Sequence, residues 1–306
     1  MVVGFLSGIS VSVSTWTSAS LRECGEETDA QREGSMRCRS ALTELGFPSG
    51  AAKKVPLGFT ASCDLAAALL MCGVDTDALV VGELSLAGHV RHTRGVLPMV
   101  EAAASAGVKR AIVPNECLRD AMLVDGISII GVGTLSEAVE AVNADDATAS
   151  VAPYQVTGFD VDLSDVYSDP KLVRAMEVAA TVGHRLALLG PPGCGQVMLA
   201  RRFVTIMPSL SSSDFLETAG VYSVAGLPLP AGRPFRAPHH TVSEAGLVGT
   251  ARHYGEVSLA HNGVLLLDEL CEFRAAVTES LFHAIASNQR PSFVWADVPD
   301  RTGGLR

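Results

Sequence analysis

The chain has 306 residues, 48% of them apolar and 18% charged, which suffices for two domains with buried cores and excludes global disorder. Aromatic residues make up only 5%, so those cores have to be built mainly from Leu, Val and Ala. A net charge of −10, from 33 acidic and 23 basic residues, argues against the broad positive surface of a nucleic-acid binder, though not against a local basic patch.

The opening MVVGFLSGISVSVSTW has no basic start, and serines interrupt its apolar run, so a signal peptide is not expected. Residues 1–20 alternate apolar and Ser/Thr residues, which predicts one edge strand. Residues 22–39 are rich in charge and read as a loop entering a helix that carries Met36, Ser40 and Thr43 and stops at Gly46 and Pro48. ASCDLAAALLMC (61–72) predicts a helix capped by Ser62 or Asp64 and ended by Gly73. LVVGELSLAGHVRHTRGVLP (79–98) predicts two strands around a glycine turn, followed by a helix from Met99 to Ala106. AIVP (111–114) reads as a buried strand, 116–124 as helix, ISIIGV (127–132) as strand and 135–143 as helix. This alternation predicts an α/β domain over residues 1–145. Residues 146–168 are acidic and rich in Ser and Thr, and read as a linker.

The second segment, 169–306, opens with a helix whose apolar face is Leu172, Ala175, Met176 and Ala179. His184 closes that helix, RLALLG (185–190) reads as a buried strand, and a glycine loop leads into a second helix. GVLLLDEL (263–270) is an apolar strand ending in two carboxylates. No stretch of about 18 residues is apolar throughout, so no membrane span is expected. The seven cysteines are widely spaced without a Cys-x-x-Cys pair and read as free thiols of a reducing compartment, with the cytoplasm the expected location.

The glycine loop carries the chemistry. In LLGPPGCGQVML, Gly190 and Gly195 have the spacing of a phosphate-binding loop, and strand–turn–helix is the context such a loop requires. Gly190, Gly193 and Gly195 let backbone amides face an anion, the helix N-terminus adds a positive end, and Pro191 and Pro192 stiffen the turn. Gln196 and Val197 stand where the pattern has a lysine and a hydroxyl residue. The lysine supplies the mobile charge on the β- and γ-phosphates, and the hydroxyl ligates magnesium. Gln196 offers a neutral donor in its place, and charge-assisted bonds are roughly twice as strong as neutral ones. Losing one key transition-state donor commonly costs about 3–4 kcal/mol, so hydrolysis is expected to be largely lost and binding weakened. From the residues alone, an ATP site, an inactive ATP site and a purely structural turn all remain open. Asp268 and Glu269 fit the second half of such a site, the first holding the metal and the second polarising the attacking water. Cys194, beside a helix N-terminus, reads as a small loop filler, and His261 and Asn262 as makers of turn hydrogen bonds. On a strand, His239 and His240 would face opposite sides, so they are read as ordering a hairpin or an inter-subunit surface and not as joint metal ligands.

Residues 233–270, RPFRAPHHTVSEAGLVGTARHYGEVSLAHNGVLLLDEL, resemble the signature of magnesium-chelatase-like AAA+ ATPases, in the competence-protein ComM (YifB) group. MEVAATVGH (176–184) and VYSVAGL (221–227) fit the same group. REGSMRCRSALTELGFP (32–48) and GELSLAGHVRHTRGVLP (82–98) are similar to the Lon-protease-like domain that precedes the ATPase there, so the resemblance runs from about residue 29 to 283. It implies an α/β Lon-protease-like domain followed by a P-loop AAA+ domain with a parallel sheet. Within that domain, Gly190, Pro191, Pro192, Gly193, Cys194, Gly195, Gln196 and Val197 would form the ATP loop. Asp268 would be a weak magnesium ligand and Glu269 the catalytic carboxylate. The group couples ATP to hexameric ring action on DNA, in branch migration during uptake and recombination, whereas its chelatase relatives drive magnesium insertion.

Three departures follow from the comparison: Gln196 and Val197, a first domain shortened before residue 29, and a final stretch SNQRPSFVWADVPDRTGGLR without resemblance. The sensor asparagine, arginine finger and helical lid of the module are expected beyond the residues present. The 99–106 helix carries no lysine for a Ser–Lys dyad, and proteolysis is not expected. Two functions stay open. One is a nucleotide-binding AAA+ protein with weak or absent ATPase activity, assembling as a homo-oligomeric ring. The other is a non-catalytic partner of an intact paralogue, or a relic.

Overall fold

The computed structural model describes residues 1–7, 10–15, 29–47, 60–144, 160–191, 193–286 and 292–296. The chain divides into two compact units, Met1–Tyr154 with Tyr222–Leu229, and Gln155–Val221 with Pro230–Arg306. Of the linker read at 146–168, residues 146–159 lie outside the described residues, as does Pro48.

In the first unit, β1 (Val2–Ser7) and β2 (Ser10–Thr15) form an antiparallel hairpin, with Val2 opposite Thr15 and Ser7 opposite Ser10. The single edge strand expected over residues 1–20 is therefore two strands. The apolar–serine alternation continues across both arms, so the sequence shows no break between them. After these come α1 (Asp29–Glu44), α2 (Asp64–Met71), β3 (Leu79–Val80), β4 (Glu83–Leu84) and β5 (Val90–Arg91). The unit continues with α3 (Val96–Ser105), β6 (Arg110–Pro114), α4 (Leu118–Ala121), β7 (Ser128–Val132) and α5 (Leu135–Asn143). The main sheet has the order β2-β1-β3-β6-β7, parallel from β1 onward. β4 and β5 make a separate hairpin, so residues 79–98 hold three short strands and not two.

The first core joins Leu42, Leu65, Leu69, Val80, Ile112, Ile130 and Leu135. Helix α1 faces it through Cys38, Ala41 and Leu42, while Met36 points to solvent. No side chain caps α2: Asp64 is instead fully buried, accepting from Arg37 and from the Leu84 amide. Helix α3 starts at Val96, ahead of the expected Met99, because Pro98 falls in the first turn, where its missing N–H costs nothing.

The second unit holds α6 (Pro170–Val182), β8 (Leu186–Ala187), α7 (Gln196–Phe203), α8 (Ser212–Ala225), whose last turn belongs to the first unit, and β9 (Phe235–Arg236). Then follow α9 (Glu244–Leu247), β10 (Gly249–Thr250), β11 (His253–Tyr254), α10 (Glu256–Leu259), β12 (Val264–Asp268), α11 (Ala275–Ala286) and β13 (Ser292–Ala296). Its sheet is parallel throughout, in the order β8-β13-β12-β9. β12 is apolar along its length because both faces are covered. Val264 and Leu266 pack with Met176, Leu199 and Phe203, whereas Leu265 and Leu267 pack with Leu247, Val257 and Leu281.

Two expectations are corrected here. The stretch 185–190 is not a buried strand: only Leu186–Ala187 pair, Leu188 alone is buried, and Leu189 is 64% exposed. β8 sits at the edge of the described sheet, so one side lacks a neighbour. On α6 the buried residues are Met176, Ala179 and Ala180, and Ala175 faces solvent.

Candidate phosphate-binding site

In a parallel sheet every strand delivers its following loop to the same edge, and ligands bind at that carboxyl edge. Ala187, Trp295 and Leu267 lie in one row across β8, β13 and β12. The glycine loop therefore leaves the sheet level with Asp268, two strand spacings or about 10 Å away. The strand that sets this separation, β13, comes from the stretch read as having no resemblance.

The described residues of the loop form a glycine turn that enters a helix. Gly193 (φ 84°) and Gly195 (φ 90°) are left-handed, and Gly195 is the N-cap of α7. The Cys194 amide donates to the Pro191 carbonyl at 3.3 Å, and the Cys194 side chain is exposed. A Cβ on Gly190 would lie 2.6 Å from the Cys194 sulfur and 3.1 Å from Gln196 Nε2, so a larger residue there would have to displace those two side chains. Pro192 lies outside the described residues.

At the two substituted positions the side chains turn inward. Gln196 is 6% exposed, and its Nε2 donates to the Gly190 carbonyl at 3.1 Å, closing the loop on itself. Val197 packs against the apolar cluster of Leu163, Met176, Leu199 and Leu266.

At the other motif, Asp268 ends β12 half-buried. Glu269 follows in the left-handed region (φ 53°, ψ 49°), a conformation costly for a non-glycine residue and commonest at functional sites. Its Oε2 lies 3.3 Å from His240 Nδ1. His240 is not on a strand, so the opposite-faces argument does not hold: it follows β9 in a turn, its ring 4.0 Å from that of His239, while His239 Nδ1 contacts Thr241 Oγ1 at 2.9 Å. No group of three or more His, Cys, Asp or Glu side chains suited to a metal occurs among the described residues.

Sequence reading passed over the two arginines of RPFRAPHH. Arg236 makes a two-pronged ion pair with Glu256 at 2.6 and 2.7 Å, tying β9 to α10. Arg233 donates to the carbonyls of Pro208 and Asn262. Their placement inside an otherwise apolar and turn-rich motif was the available signal. Asn262 (φ 55°) donates to the Asp214 carbonyl at 3.1 Å and His261 contacts Glu217 at 3.2 Å, so these side chains tie the turn to α8 over a long sequence separation where local turn hydrogen bonds were expected.

Comparison with known proteins agrees with this arrangement. Residues 162–289 match the family model for magnesium chelatase, subunit ChlI, and residues 19–117 match a second model for subunit ChlI of Mg-chelatase. The chain is 43% identical over 219 residues to an uncharacterized protein of Mycobacterium tuberculosis, covering 67% of this chain and 43% of that one. It is 35% identical over 222 residues to competence protein ComM of Haemophilus influenzae, covering 68% and 43%. Lon protease 2 of Bacillus subtilis is 33% identical over 99 residues, 31% of this chain and 18% of that protein. The matches thus span less than half the length of these relatives. With an α/β fold, a strand–glycine loop–helix and a carboxylate-ended strand on one sheet edge, the chain belongs to the magnesium-chelatase-like AAA+ family, in the group of ComM and YifB.

Proposed function

We propose that the chain binds a nucleotide at Gly190–Val197 and that its ATP hydrolysis is weak or lost. The observation that carries this reading is the Gln196 side chain, buried and bonded to the Gly190 carbonyl at the place where the family pattern has a lysine. For ATP the fit is partial: left-handed glycines and the open amides of a helix start suit a phosphate chain. For magnesium the fit fails at the loop, because Val197 has no oxygen and packs into an apolar cluster.

Bound ATP supplies an anhydride whose cleavage calls for positive charge at the departing phosphate and an oriented water. Gln196 supplies no charge, and the Glu269 carboxylate leans on His240. By the same reading the first unit is the Lon-protease-like domain and the second the AAA+ core. Ring assembly, alone or with an intact paralogue, and DNA contact rest on family resemblance. A second reading has the same observation behind it: a loop closed by its own glutamine belongs to a chain that no longer binds nucleotide and acts through its surfaces.

Thermal unfolding with ATP and magnesium, beside phosphate release, tests the proposal. At about 100 times Kd, a ligand adds about 2.7 kcal/mol to the stability of the unit that binds it. The expected result is a clear upward shift of melting with phosphate release at background, and measurable release from the Gln196→Lys/Val197→Thr double variant. Absence of any shift in the native chain would move the conclusion to the second reading. Rapid turnover by the native chain would refute the loss of hydrolysis.

A further inference from the structure

The geometry points to a groove along one flank of α7 as a binding site for a short apolar peptide in its zwitterionic form. The groove runs along the helix and needs no nucleotide to form.

Two rows of side chains on α7 line it. Val197 and Arg201 are four residues apart, with Val204 three further on in the helical turn Val204–Ile206, and Met198 and Arg202 lie beside them. Across from this flank are Val161 and, from β9, Phe235. The space between them is about 600 Å³, within the range of small-molecule sites. Its buried side is the open flank of one apolar cluster, which Val197, Val204 and Phe235 share. Met198 lines the groove while 43% exposed, so the apolar surface continues outward to solvent.

Three charged side chains border the same space, and two of them are free. Arg202 donates to the carbonyls of Asp162 and Met198. The side chains of Arg201 and Asp160, both exposed, make no hydrogen bond or ion pair among the described residues, with each other or with any other group. An apolar groove bordered by one free cation and one free anion suits a ligand with an apolar body, a carboxylate for Arg201 and an ammonium for Asp160. A bare hydrocarbon would leave both charges unused, and a simple anion would meet Asp160. From Val197 to Val204 the helix advances about 10 Å. Extended chain covers roughly 3.5 Å per residue, so two or three residues match that length and a single amino acid leaves most of it empty.

The test is methyl NMR on the full chain titrated with leucyl-leucine, and with N-acetyl-leucyl-leucine and leucyl-leucinamide, which lack one charge each. Leucyl-leucine should shift the methyls of Val197, Met198 and Val204 saturably. Each modified peptide should bind about three- to fivefold more weakly, the size of a solvent-exposed ion pair. Arg201→Gln should remove the penalty on the amide alone, and Asp160→Asn the penalty on the acetylated peptide alone. Both side chains are exposed, so neither change should alter melting. Absence of a saturable shift at these methyls would overturn the inference. Equal binding of the three peptides would overturn it too, since the charges would then take no part. Tighter binding of the acetylated peptide would make the groove a site for apolar anions, and variants that keep both penalties would show that Arg201 and Asp160 do not read the ligand; either result overturns it.

Discussion

Asp64 has no solvent exposure, and its carboxylate is held by Arg37 Nε at 2.6 Å, a second Arg37 nitrogen at 3.1 Å and the Leu84 amide at 3.2 Å. Burial dominates these contacts and pushes the carboxyl up from 3.8 to about 6, against the pull of Arg37. A folded value above the unfolded one means that the folded state binds more protons between pH 4 and 6. Stability from this group is therefore full below pH 4 and lost as pH rises through 6, by up to about 3 kcal/mol. Denaturant titrations of wild type and Asp64→Asn across pH 4 to 7 check this. The wild type should lose stability relative to the variant as pH rises, and parallel curves would refute the assignment. Such a pair was not legible in the sequence, because Arg37 and Asp64 are joined only by the packing of α1 on α2. At position 196 the identity of the residue was legible and its consequence was not. A neutral donor was foreseen, but its bond to Gly190 depends on the curl of the loop.

Among elements, the most legible were those whose residues serve one environment along their whole length. β6 and β12 are apolar runs because neighbouring strands pair on both sides and layers cover both faces. Helix α5 announces itself by its Thr134 cap, which accepts from the Glu137 amide. β8 misled because RLALLG has the same composition but only Leu186 and Ala187 pair with a neighbour among the described residues, and pairing is a property of the sheet and not of the segment. The start of β12 shows how closely one element depends on another. Gly263 sits against β9, where a Cβ would strike the Pro234 carbonyl that accepts the Val264 amide at 2.8 Å. Gly263→Ala should push β12 from β9 and cost about 1–3 kcal/mol, the usual range for overpacking. Gly220→Ala in α8, where nothing lies within 4 Å, should be neutral or stabilising. Thermal melts of the two variants, with hydrogen exchange at the Val264 amide, separate the outcomes. Equal stability of both would show that β12 can shift without loss.

At the scale of the whole molecule, strand order was the least legible feature. Ser292–Ala296 pairs with both β8 and β12 and so fixes the distance between the two motifs, yet its sequence signals only a short strand. Long-range pairing of this kind comes from topology and crossover handedness, which no local pattern encodes. No helix among the described residues is long and apolar enough to cross a membrane. Large apolar side chains are exposed in both units: Met36, Leu86, Met122 and Leu227 in the first, and Tyr167, Val178, Val182, Leu189, Met198 and Phe282 in the second. Each unit has its own interior: in the first, Val80, Ile112 and Ile130 join α1, α2 and α5, while Leu97, Met99, Val113 and Ile129 are buried apart from that cluster, and in the second the residues of β12 divide between two clusters. Two separate interiors should give two calorimetric transitions. Because the glycine loop lies in the second unit, nucleotide should raise that unit's transition and leave the other in place. The Asp64→Asn variant should do the reverse, moving only the first unit's transition, since Arg37 and Asp64 belong to that unit. One merged transition that both perturbations shift together would mean that the two units fold as a single cooperative body.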